Sequence, residues 1–339
     1  MWKPTVHFGG PGAPPRALRQ LLFDRITAAR SGSSIDIVTY YFRDRALASA
    51  LLRAHERGVS VRVTIDGRPR SPEANRAICD DLSVPLGSRF RAIVHPHLPM
   101  MPRRRLHEKL YVFSDPPVAL IGSFNPSNNA IEAEEAIASE IGQHDFGYNS
   151  LVEFTDPTLV EGLTSHARAI HTGGHRRGER WLERRRSLIV GETQVHYWPR
   201  IHDDPARETL RAATAPGRLR LAASHLSGRT FPRELSAAVR RGLRVEVVSH
   251  ANTRRFPEHT ASELIASGVH VKRIGHEVET PMHEKFALLE SADTHRTLFG
   301  SFNWNEQSRW FNHEVLVDSA NPAVFEAYDR RWEQLAASQ

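Results

Sequence analysis

Cys79 is the only cysteine in the chain, which excludes an intramolecular disulfide framework and a cysteine-based zinc site. Long apolar runs are also missing. Nothing approaches the roughly 18 to 20 residues that a membrane-spanning helix needs. The opening residues, Met1 through Gly12, are rich in Pro and Gly and hold no apolar run of signal-peptide length. The sequence therefore predicts no transmembrane segment, no export by the general route, and a cytoplasmic protein with peripheral contact at a membrane surface. No Gly-x-x-x-x-Gly-Lys-Ser/Thr loop is present, and Gly9-Gly10-Pro11-Gly12 reads as a flexible start. The 19 histidines include no His-x-x-x-His helix with a third ligand, so neither a metal nor a cofactor is expected.

What remains is ordinary globular material. The 339 residues are 40% hydrophobic and 25% charged, enough for one bilobed domain or two separate ones around packed cores. The net charge of +6 suits a phosphodiester partner of either kind, nucleic acid or anionic lipid.

Hydrophobic periodicity organises the chain. Leu18, Leu21, Leu22, Ile26 and Ala29 recur at helical spacing, and Ile35 to Phe42 is a β-branched and aromatic run that reads as a strand. Asp44 can cap a second helix that stops at Gly58, and Val59 to Ile65 alternates as a second strand. The same strand–helix–strand unit returns from Arg218 to Val248. Arg57-Gly58-Val59-x-Val61-x-Val63 lies over Arg241-Gly242-Leu243-x-Val245-x-Val247 at an offset of about 184 residues. These units predict an α/β fold built by internal duplication.

The duplication carries polar residues with it. Leu106-His107-Glu108-Lys109 precedes Gly122-Ser123-Phe124-Asn125, and Met282-His283-Glu284-Lys285 precedes Gly300-Ser301-Phe302-Asn303. On a strand, His107 and Lys109 would share one face while Glu108 points away, and the second copy repeats this. Phosphodiester cleavage needs a nucleophile, a proton donor for the leaving alkoxide and positive charge around the phosphoryl oxygens. Paired histidines and lysines with two carboxamides supply all three.

Paired His-x-Lys segments, each followed by Gly-Ser-x-Asn, resemble the phospholipase D superfamily of metal-independent phosphodiesterases and phosphatidyltransferases. The resemblance implies two tandem, pseudo-twofold-related α/β/α halves, each a mixed sheet flanked by helices, that share one active site. Residues 1–170 and 193–339 would be these halves, with 171–192 as a basic connector. It further implies His107 as nucleophile through a phosphohistidine, with His283 as acid/base and the reverse order open. Lys109 and Lys285 would act with them, and Ser123, Asn125, Ser301 and Asn303 would bind the phosphate. Glu314, in Asn312-His313-Glu314, and Glu153 are the candidates for orienting the histidines. The family's usual Asp after the motif lysine is replaced here by Ser114 (with Asp115 next) and by Glu290. The favoured substrate is a phospholipid headgroup, cleaved or transferred, with a nuclease acting on DNA or RNA as the alternative. Leu98, Met100 and Met101 before His107, and Trp304, Trp310 and Phe311 after Asn303, could meet acyl chains or pack in the core. Arg103 to Arg105 and the arginines at 176 to 186 would suit any polyanion. Residues 131 to 147 form an insertion that the second half lacks.

Overall fold

The computed structural model describes residues 3–96, 100–127, 146–173, 187–275, 280–292 and 294–338. Two compact units divide the chain: Met1–Arg180 with Val278–Thr280, and Trp181–Glu277 with Pro281–Gln339.

The first unit runs β1 (Thr5–Gly9), α1 (Ala17–Ala28), β2 (Ser34–Thr39), α2 (Arg45–Glu56), β3 (Ser60–Asp66), α3 (Glu73–Leu86), β4 (Phe90–Ile93), β5 (Lys109–Ser114), β6 (Pro117–Gly122), β7 (Asn149–Phe154) and α4 (Pro157–Thr172). Its sheet has the order β1-β7-β6-β5-β2-β3-β4. Strands β2, β3 and β4 pair in parallel and the remaining pairs are antiparallel. Strand β2 is buried on both faces, which is why Ile35, Ile37 and Val38 read as a near-continuous apolar run, with Ile35 opposite Val61 and Ile37 opposite Val63. Helix α2 starts where Asp44 accepts the Leu47 N–H at 3.0 Å, and its apolar face of Leu47, Ala48, Leu51 and Ala54 joins the core beneath the sheet.

The second unit comprises β8 (Ser187–Val190), β9 (Thr193–Tyr197), α5 (Pro205–Ala212), β10 (Gly217–Ala223), α6 (Thr230–Arg240), β11 (Arg244–His250), α7 (Glu258–Ala266), β12 (His270–Ile274), β13 (Lys285–Ser291), β14 (Thr294–Gly300), α8 (Glu306–Trp310), β15 (Val315–Ser319) and α9 (Pro322–Ala337). Its sheet order is β12-β11-β10-β13-β14-β15-β9-β8. Read from β4 to β1 and from β12 to β9, the two sheets have the same strand order and the same parallel and antiparallel pairings. Register agrees as well. Ile35 faces Val61 and Ile37 faces Val63, as Leu219 faces Val245 and Leu221 faces Val247. Strand β8 is an edge addition without a described counterpart. Two tandem mixed-sheet α/β halves therefore make up the protein.

The connector differs from its expected span. His171 and Thr172 close α4, and Ser187–Val190 pair with β9, because the run Ser-Leu-Ile-Val finds a ladder partner. Residues 174–186 and 128–145, with most of the basic run and of the insertion, lie outside the described residues.

Candidate active site

Both histidines sit just ahead of their strands. Strands β5 and β13 begin at Lys109 and Lys285, two residues later than a strand carrying the whole His-x-Lys segment would. Ahead of β5, the Leu106 N–H is held by the Asp66 carboxylate at 2.7 Å. The faces nevertheless alternate. Glu108 and Glu284 are fully buried on the opposite face, where Glu108 meets His166 of α4 at 2.9 Å and Glu284 meets Arg331 of α9 at 3.1 Å.

In the first half, Lys109 Nζ donates to the His107 carbonyl at 2.5 Å. The Tyr40 ring stands edge-on to His107 with centroids 5.0 Å apart, and Lys109 Nζ lies 5.5 Å from the same ring. Arg105 donates to the Tyr40 hydroxyl, which also accepts the Arg70 N–H at 2.7 Å. Burial pushes the Asp66 carboxyl up to about 6, although the Leu106 and Arg68 N–H groups pull the other way. Asn125 Oδ1 accepts from the Tyr41 N–H at 3.2 Å, leaving the Asn125 amide nitrogen to donate.

The second half repeats this arrangement with different neighbours. Lys285 Nζ donates to the His283 carbonyl at 2.9 Å and lies 3.0 Å from His283 Nε2. Asn303 Oδ1 is buried without a hydrogen-bond partner. Gly300, at φ 141°, lets β15 approach so closely that a Cβ there would sit 2.3 Å from the Val315 carbonyl oxygen. Gly122 does the same against Ser150.

The Ser123 and Ser301 hydroxyls are engaged within their own halves: Ser123 Oγ donates to Asn149 Oδ1 at 3.1 Å and Ser301 Oγ to Glu314 Oε2 at 2.6 Å. Each also accepts the N–H of the residue following that partner, which fixes the hydroxyl in place. Glu153 does not correspond to Glu314. Leu151 pairs with Gly122 as Leu316 pairs with Gly300, so Asn149 occupies the register position of Glu314. Glu153 lies further along β7, bound to Arg25 at 2.7 Å and beside His7, and these two partners hold its carboxyl below the usual range. Finally, Trp304 is fully buried against Phe231 and Phe302 and is core, whereas Trp310 is partly exposed beneath the Arg309 guanidinium.

Glu314 is the best-anchored group of the second half. Besides Ser301 it accepts from Ser308 Oγ at 2.6 Å and Asn312 Nδ2 at 3.0 Å. Sequence reasoning missed Ser308, Asn149 and Tyr40. Asn149 could be recognised only through strand register, because the insertion before β7 breaks the repeat spacing. At the far ends of β5 and β13, Ser114 Oγ accepts the Ser34 N–H at 2.7 Å and Glu290 pairs with Arg220 at 3.1 Å, so the positions that replace the family's Asp tie strands together.

Two segments of the chain, 22–155 and 207–336, match the family described as "Cardiolipin synthase, PLD-like domain". Among solved structures, phosphatidylserine synthase from Haemophilus influenzae Rd KW20 is 14% identical, with a TM-score of 0.66 over 98% of this chain and 86% of that one. A polyphosphate kinase from Porphyromonas gingivalis is 15% identical, with a TM-score of 0.63 over 98% of this chain and 46% of that one. The chain thus spans less than half of the kinase's length, and at these identities the likeness is one of fold. Nuc from Salmonella typhimurium, described as a phospholipase D family member, is 24% identical with a TM-score of 0.34 over 49% of this chain and 93% of that one. A comparison with curated protein sequences finds no match. Each matched segment contains one His-Glu-Lys and one Gly-Ser-x-Asn, and the chain belongs to the phospholipase D-like family of phosphodiester-cleaving and -transferring enzymes.

Proposed function

We propose that the two His-x-Lys sets form one metal-independent site that cleaves or transfers a phospholipid headgroup through a phosphohistidine. The observation that carries this reading is the duplicated geometry: in each half a buried lysine folds back onto the carbonyl of its own motif histidine, and the motif asparagine is buried too. His107 attacks phosphorus in line and His283 protonates the leaving alkoxide. His283 then activates water or an alcohol to break the phosphorus–nitrogen bond and release His107. Lys109, Lys285, Asn125 and Asn303 stabilise the charge on the phosphoryl oxygens. Glu314 orients an imidazole in this scheme.

The lipid substrate is supported by Met100 and Met101, which are 104% and 44% exposed shortly before His107 and next to Arg103 to Arg105. An apolar tip followed by arginines suits peripheral contact with an anionic bilayer. The family description and the phosphatidylserine synthase neighbour are in keeping with a phosphatidyl substrate. The nuclease reading draws on net charge and on the same arginines, so the exposed methionines are what favour the lipid. Among the described residues no helix is long and apolar enough to cross a membrane.

The test is product analysis by mass spectrometry after incubation in EDTA with mixed phospholipid vesicles and a primary alcohol. Phosphatidic acid or a phosphatidyl-alcohol should form with the unmutated chain and with neither His107→Ala nor His283→Ala. Intact lipids alongside cleavage of labelled oligonucleotides would replace the lipid reading with the nuclease one. A substantially active single-histidine variant would sink the shared site.

A further inference from the structure

Helices α6 and α7 pack side by side in the second unit, and a groove of about 640 Å³ runs between them. One wall is a stripe along α6: Arg229, Arg233, Ser236 and Arg240. Their spacing of four, three and four residues keeps them on one helix face, spread over about 16 Å of axis. The facing wall, from α7, is His259, Glu263 and Ser267, and a Ser236–Ser267 hydrogen bond of 2.9 Å ties the two walls together.

The arginines here differ from those around them. Arg207 and Arg211 share Glu234, Arg218 and Arg244 share Glu246, and Arg273 meets Glu258. Among the described residues, the guanidinium groups of Arg229, Arg233 and Arg240 have no carboxylate partner, and their groove contains a single acid, Glu263. The N-terminus of α6 is already occupied, because Glu306 accepts both the N–H and the hydroxyl of Thr230. Recognition in the groove therefore falls to the guanidinium side chains.

Guanidinium groups bind phosphate oxygens through paired N–H donors, and three of them strung along a helix suit a ligand with separated negative groups. A volume of about 640 Å³ lies within the usual range for small-ligand sites. We propose that the α6–α7 groove is a second anion site, made of different residues from the His-x-Lys sets, that takes a small molecule or lipid headgroup bearing more than one phosphate group. It does not depend on the reaction proposed above.

The test uses the full chain, with inorganic pyrophosphate as the soluble probe and vesicles containing cardiolipin, which carries two phosphate groups, or only phosphatidylcholine as the lipid probes. Binding is followed by calorimetry and co-sedimentation, and hydrogen exchange over residues 228–268 locates it. The expected result is protection of α6 and α7, with affinity at least about tenfold weaker in Arg233→Gln/Arg240→Gln, since each lost charge-assisted contact costs about a factor of ten. These exposed substitutions should leave the melting temperature unchanged, so a loss of binding would not reflect unfolding. Pyrophosphate binding assigns a soluble ligand; binding to cardiolipin vesicles alone assigns a headgroup. Protection elsewhere only, equal affinity in the double variant, or tight binding by single-stranded DNA with neither phosphate probe bound would overturn the proposal. Phospholipid turnover in the double variant is read separately, so failure here leaves the reading of the His-x-Lys sets intact.

Discussion

At the residue scale, the two halves part company at one register position. Glu314 accepts from three side chains, Ser301, Ser308 and Asn312, whereas Asn149 accepts from Ser123. Hydrogen bonds to a charged acceptor are worth about 1.5 to 3 kcal/mol, against about 0.5 to 1.5 for neutral pairs, and stranded buried donors add to the loss. Glu314→Ala should therefore destabilise by roughly 3 kcal/mol or more and Asn149→Ala by about 1. Urea unfolding of the two variants, compared at equal m-value, checks the order; equal losses would mean that Glu314 is not the anchor its bonds suggest.

At the element scale, each motif strand is pinned from behind by the glutamate between its histidine and lysine. Glu284 and Arg331 are both fully buried, a pairing in which loss of one partner strands a charge. Arg331→Met alone should cost about 3 to 5 kcal/mol, while Glu284→Leu with Arg331→Met should recover most of it. Thermal melts of the single and double variants test this, and a double variant no better than the single would rule out charge burial as the cause. Much of this architecture is legible in the sequence. Alternation assigns Glu108 and Glu284 to the back face, the paired strand–helix–strand units give the duplication, and Asn312-His313-Glu314 marks the carboxylate. Tertiary context hides the rest. Asp66 takes the Leu106 N–H from across the sheet, two serine hydroxyls are engaged by neighbouring strands, and unequal spacing before β7 conceals Asn149. The arginine stripe of α6 is written at helical spacing, but only the structure reveals that the surrounding carboxylates are committed to other arginines.

At the scale of the whole molecule, stability should fall in mild acid for a reason built into the second sheet. Burial, with the Arg200 guanidinium nearby, pushes the His196 imidazole down to about 4 from 6.5. Between those values the unfolded chain binds a proton that the folded chain refuses, so stability is full above pH 6.5 and is lost as pH falls towards 4. The loss from this group is at most about 3 kcal/mol. His196→Gln should flatten the pH dependence of the melting temperature over that window, and an unchanged slope would assign the acid sensitivity to other groups. The register shared by Glu314 and Asn149 has a consequence of another kind, for ancestry. A duplicated gene starts with identical halves, and a pair that now differs in a buried position records a change accepted by one copy alone. A chain assembled from two first halves would keep both histidines and lose the anchored acid from both positions; two second halves would carry it twice. Either half doubled would therefore differ from the present chain at this buried position.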